Sequence, residues 1–341
     1  MLRRSFYLDR LRLRWYRTNG STTKGMKNGM ENFILSIEIV LPLFLVMVVG
    51  YVCKQLKVIS ESLAKQINGV VFRVFLPVLL CKNIYQSSLE SLMNPGVFVF
   101  AAIGILVMFF SLLFLIPKIE PDKRKCSAMI QAIFRSNYAY FGIPLVQAIF
   151  PDMDTSVTSL LVVVVVPMFN VLAVVDLELF RGGKADPKQI IKKIVTNPLI
   201  LGSLAGLVIL LSGVTIPSII QKPIDDLAKV ATPLALFLLG ASIDFSKTGA
   251  HMKQLSVCVL GKLVVCPLIA IAAAALLGMR NVELASMLII FGAPTAVNSA
   301  VMAQQMGSDG DLATEAVVFT TAFSALTVFL FVFVMKTIGL I

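Results

Sequence analysis

Apolar runs long enough to cross a bilayer, punctuated by proline and glycine, follow one another along nearly the whole chain. A membrane-spanning helix needs about 20 mostly apolar residues. Ten such stretches can be drawn, at roughly 33–53, 66–86, 96–117, 126–150, 156–178, 194–212, 224–245, 254–278, 283–306 and 312–338. They consume most of the 341 residues and leave no room for a separate soluble domain. Only 14% of residues are charged, against about 25% in an ordinary soluble protein. The expected fold class is therefore an all-α integral membrane protein.

The net charge of +11 suggests nucleic acid until it is placed along the chain. Eight of the 30 basic residues precede Glu31, and most others fall in short loops between apolar runs. Alternate loops differ: Lys54, Lys57, Lys65, Lys118, Lys123, Arg124, Lys125, Arg181, Lys184, Lys188, Lys192, Lys193, Lys247 and Lys253 lie on one side. Lys82, Lys222, Arg280 and Lys336 lie on the other. By the positive-inside rule the first set is cytoplasmic, so both ends of the ten-helix unit lie outside, and no nucleic-acid partner is implied. The basic segment 1–30 contradicts that orientation. Met30 directly precedes the first apolar run, so the tail reads as sequence upstream of the genuine start; a disordered or membrane-surface arm is the alternative. Five cysteines, scattered singly, give no CxxC pair and point to neither a disulfide framework nor a metal site. The methionines and phenylalanines read as core or lipid-facing filling, and no cofactor is expected.

The two halves of the chain repeat. Pro-Leu-Phe-Leu at 42–45, then Gly50, recurs as Pro-Leu-Ile-Leu at 198–201, then Gly206. The offset is 156, and Pro77 to Pro233 gives 156 again. Five spans per repeat is an odd number, so the second copy enters the membrane the other way up. Inverted repeats of this kind mark secondary transporters whose substrate site lies at mid-membrane between the repeats. The expected boundaries are 31–180 for the first five-helix repeat, 181–193 for a short cytoplasmic loop, and 194–341 for the second.

The fourth and ninth stretches are the most polar and the most punctuated. The fourth reads Arg135-Ser136-Asn137-Tyr138-Ala-Tyr140-Phe-Gly142-Ile-Pro144, and the ninth Phe291-Gly292-Ala-Pro294-Thr295-Ala-Val-Asn298-Ser299. Asn137 and Pro294 each lie 11 residues beyond the start of their stretch, about 16 Å along a helix and so near mid-membrane. Ser136, Gly142, Pro144 and Gly292 are the candidate helix-break residues. A helix broken there exposes backbone amides and carbonyls, and its second half presents a partly positive N-terminus to an anion. Asn137, Pro294, Thr295 and Asn298 are the candidate substrate-binding positions at the two breaks.

With these residues the chain resembles the auxin efflux carrier family, in its bacterial malonate or malate permease branch. The resemblance covers residues 31–341 and rests on the Arg-Ser-Asn…Gly-Ile-Pro stretch, Asn-Pro-Leu-Ile at 197–200, Ala-Thr-Pro-Leu-Ala at 231–235, and the ninth-stretch proline followed by Met-Ala-Gln at 302–304. It implies ten helices in two inverted five-helix repeats, with helices 4 and 9 broken and crossing, a scaffold moving against a transport domain, and a homodimer formed through the scaffold. Asn137 matches the asparagine of the plant crossover's Pro-Asn, with Ser136 in place of that proline, and Pro294 matches the ninth-helix crossover proline. Asn170 matches a position lining the family's binding cavity. The long central loop of the plant members is missing, which points away from auxin and toward a small organic carboxylate.

Charged residues inside membrane spans usually face a cavity or a partner. Arg135 is the candidate to attract a carboxylate, and Lys262, eight residues into the eighth span, is a second; pairing for the one and snorkelling for the other are the structural alternatives. Lys82 reads as snorkelling and Arg73 is ambiguous. Asp176 and Glu178, beside the basic 181–193 loop, read as interfacial ion pairs. Asp244 reads as solvated at a span end, with an H⁺ or Na⁺ coupling site as the alternative. Gly202-x-x-x-Gly206 is a helix-packing motif. An enzyme is not expected: no HExxH or GxSxG motif occurs, and the single His251 reads as a solvated loop residue. No Walker A sequence exists to harness ATP. The expected function is secondary transport of a small organic carboxylate in the cell membrane; a membrane sensor or channel on the same scaffold is the alternative.

Overall fold

The structure is a computed structural model that describes residues 41–86, 95–181, 187–243 and 245–341. The basic tail 1–30 and Asp244 lie outside those residues. Every named element is helical, and among the described residues the one β-type pairing is an antiparallel bridge between Ser136 and Thr295. Among the described residues five helices are long and apolar enough to cross a membrane: Glu61–Tyr85, Pro95–Ile119, Ser156–Leu179, His251–Leu276 and Gly310–Thr337. Shorter apolar helices run Leu41–Gln55, Pro198–Ser212 and Asn281–Gly292. Ser218–Ser242 has 25 residues but carries Lys222, Asp225, Asp226 and Lys229 in its first half. Within the segment expected as a short cytoplasmic loop at 181–193 a helix begins, Pro187–Thr196.

Local chemistry sets the helix ends. Asp122 and Asp309 cap their helices through side chains that accept from Arg124 N and Leu312 N. Asn197 accepts from Leu199 N and Ile200 N, and Pro198 follows it at the first helical position, where a missing amide proton costs nothing. That gives the Asn-Pro of the 197–200 motif a physical meaning: it starts a helix.

The prolines at 77, 144, 167, 233 and 267 do not end the helices that hold them. Three π turns, Val71–Phe75, Tyr138–Gly142 and Gly261–Val265, each end two residues before a proline, at Pro77, Pro144 and Pro267. A proline ring clashes with the carbonyl four residues earlier, and widening the preceding turn relieves the clash without ending the helix. Pro167 and Pro233 lie within continuous helices.

Two packing groups emerge. The second half of the Glu61–Tyr85 helix packs most extensively on Pro198–Ser212 and then on Ser218–Ser242. Its backbone approach depends on glycine: a Cβ at Gly206 would sit 2.5 Å from the Cys81 carbonyl oxygen. Leu41–Gln55 meets Ser218–Ser242 in the same manner, where a Cβ at Gly50 would sit 1.9 Å from the Phe237 carbonyl oxygen. The other group gathers Pro95–Ile119, the split segments around 135 and 294, Ser156–Leu179, His251–Leu276 and Gly310–Thr337. The candidate site lies where the two groups meet.

Candidate functional site

Two passes are interrupted. The Lys123–Phe134 helix ends at Arg135, whose backbone is extended, and helix resumes only at Tyr138. The Asn281–Gly292 helix ends likewise, and Val297–Met306 follows extended residues at Ala293 and Ala296. Pro294 explains the second gap, since it lacks an amide proton and drives the residue before it out of the α region. No proline stands in the first. There Ser136 turns its hydroxyl away from its own helix and onto Ile290 O of the other pass.

The two gaps satisfy each other. Asn137 N donates to Pro294 O at 2.8 Å, and Ser136 bridges Thr295 in antiparallel fashion. The Ser136 hydroxyl donates to Ile290 O, a carbonyl at the end of the opposite half-helix. Reciprocally, the Thr295 hydroxyl donates to Ala132 O at 2.6 Å, and Thr295 N donates to Thr320 Oγ1 at 3.1 Å. In an apolar surround every freed backbone group needs a partner, and the crossing finds them on its own two arms and, through Thr320, on the Gly310–Thr337 helix. Lys262, with no exposed surface, braces it by donating Nζ to Ser136 Oγ at 2.5 Å. Gly142 lets the arms close, because a Cβ there would lie 2.2 Å from Ile289 Cγ2.

A cavity of about 60 Å³ opens at the crossing. Both second-half N-termini reach it, through Asn137 and Tyr138 on one arm and Ala296, Val297 and Asn298 on the other. The wall is completed by Arg135, Ser136 and Asn170, by Asn83 and leucines of the Glu61–Tyr85 helix, and by Thr232 of Ser218–Ser242. Arg135 is the one charged side chain in this lining, and no carboxylate faces it there. It is 1% exposed. It donates NH2 to Asn170 Oδ1 at 2.9 Å and NH1 to Gln131 Oε1 and Met302 Sδ, each at 3.0 Å. Among the described residues, Arg135 Nε, Asn170 Nδ2 and Asn298 Oδ1 are buried without a hydrogen-bond partner. Buried polar atoms are nearly always paired, so this cavity wall holds unused donors and an unused acceptor.

Of the residues singled out from sequence, Arg135, Ser136, Asn137, Asn170 and Asn298 come together in this wall. Pro294, Thr295 and Lys262 build the crossing behind it. Gly292 is the last helical residue before its gap, and Gly142 and Pro144 fall in the helix after theirs. Sequence reasoning missed Asn83 and Thr232; each is a polar residue in an apolar run, a signal that was available.

Three expectations for the remaining polar residues need correction. His251 is not in a solvated loop: it is helical, 8% exposed, and its Nδ1 lies 2.8 Å from Glu315 Oε2. Asp176 is not an interfacial ion pair; it is fully buried, and among the described residues neither oxygen has a hydrogen-bond partner. Lys82 does not merely snorkel but pairs with Asp225 at 2.7 Å. Glu178 does form the expected pairs, with Lys193 at 2.6 Å and Arg181 at 3.4 Å.

The chain is similar to known membrane transport proteins. Residues 35–332 match the family described as membrane transport protein. The chain is 22% identical over 306 residues to an uncharacterized transporter of Methanocaldococcus jannaschii, covering 86% of this chain and 97% of the relative. It is 24% identical over 297 residues to a Rhizobium meliloti protein named "Putative malonate transporter", covering 85% and 92%. An uncharacterized transporter of Methanothermobacter thermautotrophicus is also 24% identical, over 303 residues, covering 86% and 96%. With its helices long enough to span a membrane several times and a family match over most of its length, the chain is a multi-pass membrane protein that belongs to the membrane transport protein family, the auxin efflux carrier family its motifs resemble.

Proposed function

We propose that this protein is a secondary carrier that moves a small organic carboxylate across the cell membrane by alternating access around the crossing. The observation that carries the proposal is the sign of the cavity: two helix N-termini and one guanidinium converge on it, and no carboxylate is among the residues that line it. An anion is the solute such a wall favours. A carboxylate suits it further, since Arg135 Nε stays unpaired beside the engaged NH1 and NH2, and a guanidinium edge matches two carboxylate oxygens. The Rhizobium meliloti relative's name is consistent with a dicarboxylate.

The chain is taken as ten spans in two inverted five-helix repeats, with the 181–193 segment cytoplasmic and both ends of the helical unit outside. Contacts support the repeat: Gly50 abuts Phe237, and Gly206 abuts Cys81. Adding 156 to residues 50 and 81 gives 206 and 237, the same offset that relates the proline motifs. The helix pairs involved hold the first packing group together, which fits a scaffold against which the second group moves. Motion is needed, because about 60 Å³ holds only a few waters and a dicarboxylate must displace the walls to enter. On one side of the cavity Asn68 Nδ2 bonds Gln304 Oε1 at 2.7 Å and joins the two groups; the carrier works by breaking that closure and forming one opposite. ATP plays no part, so the driving force is the solute gradient, the membrane potential, or coupled H⁺ or Na⁺. A homodimer through the scaffold completes the proposal.

Counterflow in proteoliposomes tests it. Vesicles preloaded with unlabelled malonate should take up labelled malonate transiently and saturably, and Asn298→Ala should abolish the uptake while leaving folded, inserted protein. Absence of counterflow with malonate and with other dicarboxylates and hydroxy acids would overturn the proposal, and a current that does not saturate would make the protein a channel.

A further inference from the structure

Behind the cavity wall lies a buried carboxyl for which the transport reading has no use. Ser127, Gln131 and Arg135 follow one another at intervals of four residues along the Lys123–Phe134 helix and its end, which places them in one stripe. The stripe faces Asn170 and Asp176 of the Ser156–Leu179 helix. Asp176 has no exposed surface, and among the described residues nothing hydrogen-bonds to either of its oxygens. Ser127 and Gln131 are the polar side chains beside it, and Arg135 stands within electrostatic reach. The same cluster contains three buried donor atoms without acceptors: Gln131 Nε2, Arg135 Nε and Asn170 Nδ2. Donors without acceptors thus share this stretch of the interior with a carboxyl that has no partner.

An ionised carboxylate in an apolar interior is tolerated only when paired or neutralised. Asp176 therefore has two resting conditions: paired with the Arg135 guanidinium, or protonated. Arg135 has two partners as well, since the same guanidinium lines the cavity. We infer that Asp176 is a proton-coupling site, in which a solute carboxylate displaces Asp176 from Arg135 and one proton from water moves onto an Asp176 oxygen for each anion bound. The inference rests on the carboxylate-transport reading above. Release of the anion returns Arg135 to Asp176 and sends the proton off on the same side, so anion and proton travel together.

A metal ion fits the site less well than a proton. Arg135 repels it, Gln131 Oε1 is engaged by Arg135 at 3.0 Å, and Ser127 Oγ is engaged by Ser308 Oγ at 3.1 Å. Two carboxylate oxygens fall well short of the six or more oxygen ligands a calcium ion takes. Among the described residues no group of three His, Cys, Asp or Glu gathers anywhere. Among the described residues the ionisable groups facing Asp176 are Arg135 and Cys126, and the Cys126 thiol is occupied by Glu120 O at 2.9 Å.

The test measures protons as well as affinity. Purified protein in weakly buffered detergent solution is titrated with malonate at a series of pH values beside a pH indicator. The ligated state holds one more proton, so binding weakens as pH rises, by about tenfold per unit, with one proton taken up per malonate beyond the ligand's own titration. Asp176→Asn imitates the protonated carboxyl, so it should bind at least as tightly and lose both the proton uptake and the extra pH slope. Malonate's own ionisation affects both proteins equally and cancels in the difference. Wild-type protein that binds malonate without proton uptake overturns the inference and leaves the transport reading standing, as does a variant that keeps the wild-type slope. Should Asp176→Asn fail to fold, the wild-type stoichiometry decides alone. Wild-type protein that binds no dicarboxylate at any pH overturns the transport reading, and this inference with it.

Discussion

Replacing Arg135 by glutamine removes the one charge in the cavity wall and should cost most of the protein's affinity for the proposed carboxylate. Arg135 holds two neighbours, Asn170 Oδ1 at 2.9 Å and Gln131 Oε1 at 3.0 Å, and still keeps Nε unpaired. A hydrogen bond to a charged group is worth about 1.5–3 kcal/mol, and each 1.4 kcal/mol is a tenfold change in the dissociation constant. Losing one such bond to a carboxylate therefore predicts about a 10- to 100-fold weaker binding of malonate. Arg135→Lys keeps the charge but offers a compact ammonium that cannot span both neighbours and the solute as a planar guanidinium does, so its loss should be smaller. Glutamine can still donate to one of the two acceptors, which limits the structural damage relative to alanine. The assay is malonate affinity by calorimetry on purified protein, with counterflow in proteoliposomes as the functional measure. Monodispersity and melting temperature report folding. Wild-type affinity in Arg135→Gln would refute the assignment of the anion to this guanidinium, and equal losses in the glutamine and lysine variants would make Arg135 a structural residue.

Three further outcomes follow from the geometry. Thr295→Val deletes the hydroxyl that satisfies Ala132 O and leaves a buried carbonyl unpaired, which should destabilise by about 1–3 kcal/mol; an unchanged melting temperature would show that the crossing does not depend on that bond. Gly206→Leu drives a side chain into the Cys81 carbonyl, where even a Cβ would lie at 2.5 Å, so the protein should aggregate or lose its sharp elution profile, whereas Gly213→Ala, with open space around it but a left-handed φ of 64°, should cost far less. Asn68→Ala removes the bond to Gln304 and should raise cysteine accessibility at Leu239→Cys beneath it; unchanged labelling would refute a closure held there.

Much of this protein is legible along the chain because the relevant signals are local. Hydropathy over about 20 residues fixes which segments can lie in a bilayer, and it located all five membrane-length helices. Proline's missing amide proton is equally local, and the interruption at Pro294 follows from it. The gap at Ser136 was legible as polarity in an apolar run rather than as a proline break.

What sequence alone settled, then, is the helical membrane character, the two interruptions and the pool of polar residues around them. Which of those residues face the cavity was decided only by tertiary packing. Each residue turns a helix by 100°, so a span boundary uncertain by two residues leaves the facing side unknown. Asp176 and Glu178 show the effect: two positions apart, one is sealed in the interior and the other pairs with Lys193 outside it. Lys262 and Asn298 divide the same way, one turned to brace the crossing and the other to line the cavity. The burial of His251 against Glu315 arose likewise from two helices distant in sequence, a contact that no periodicity within either could foretell.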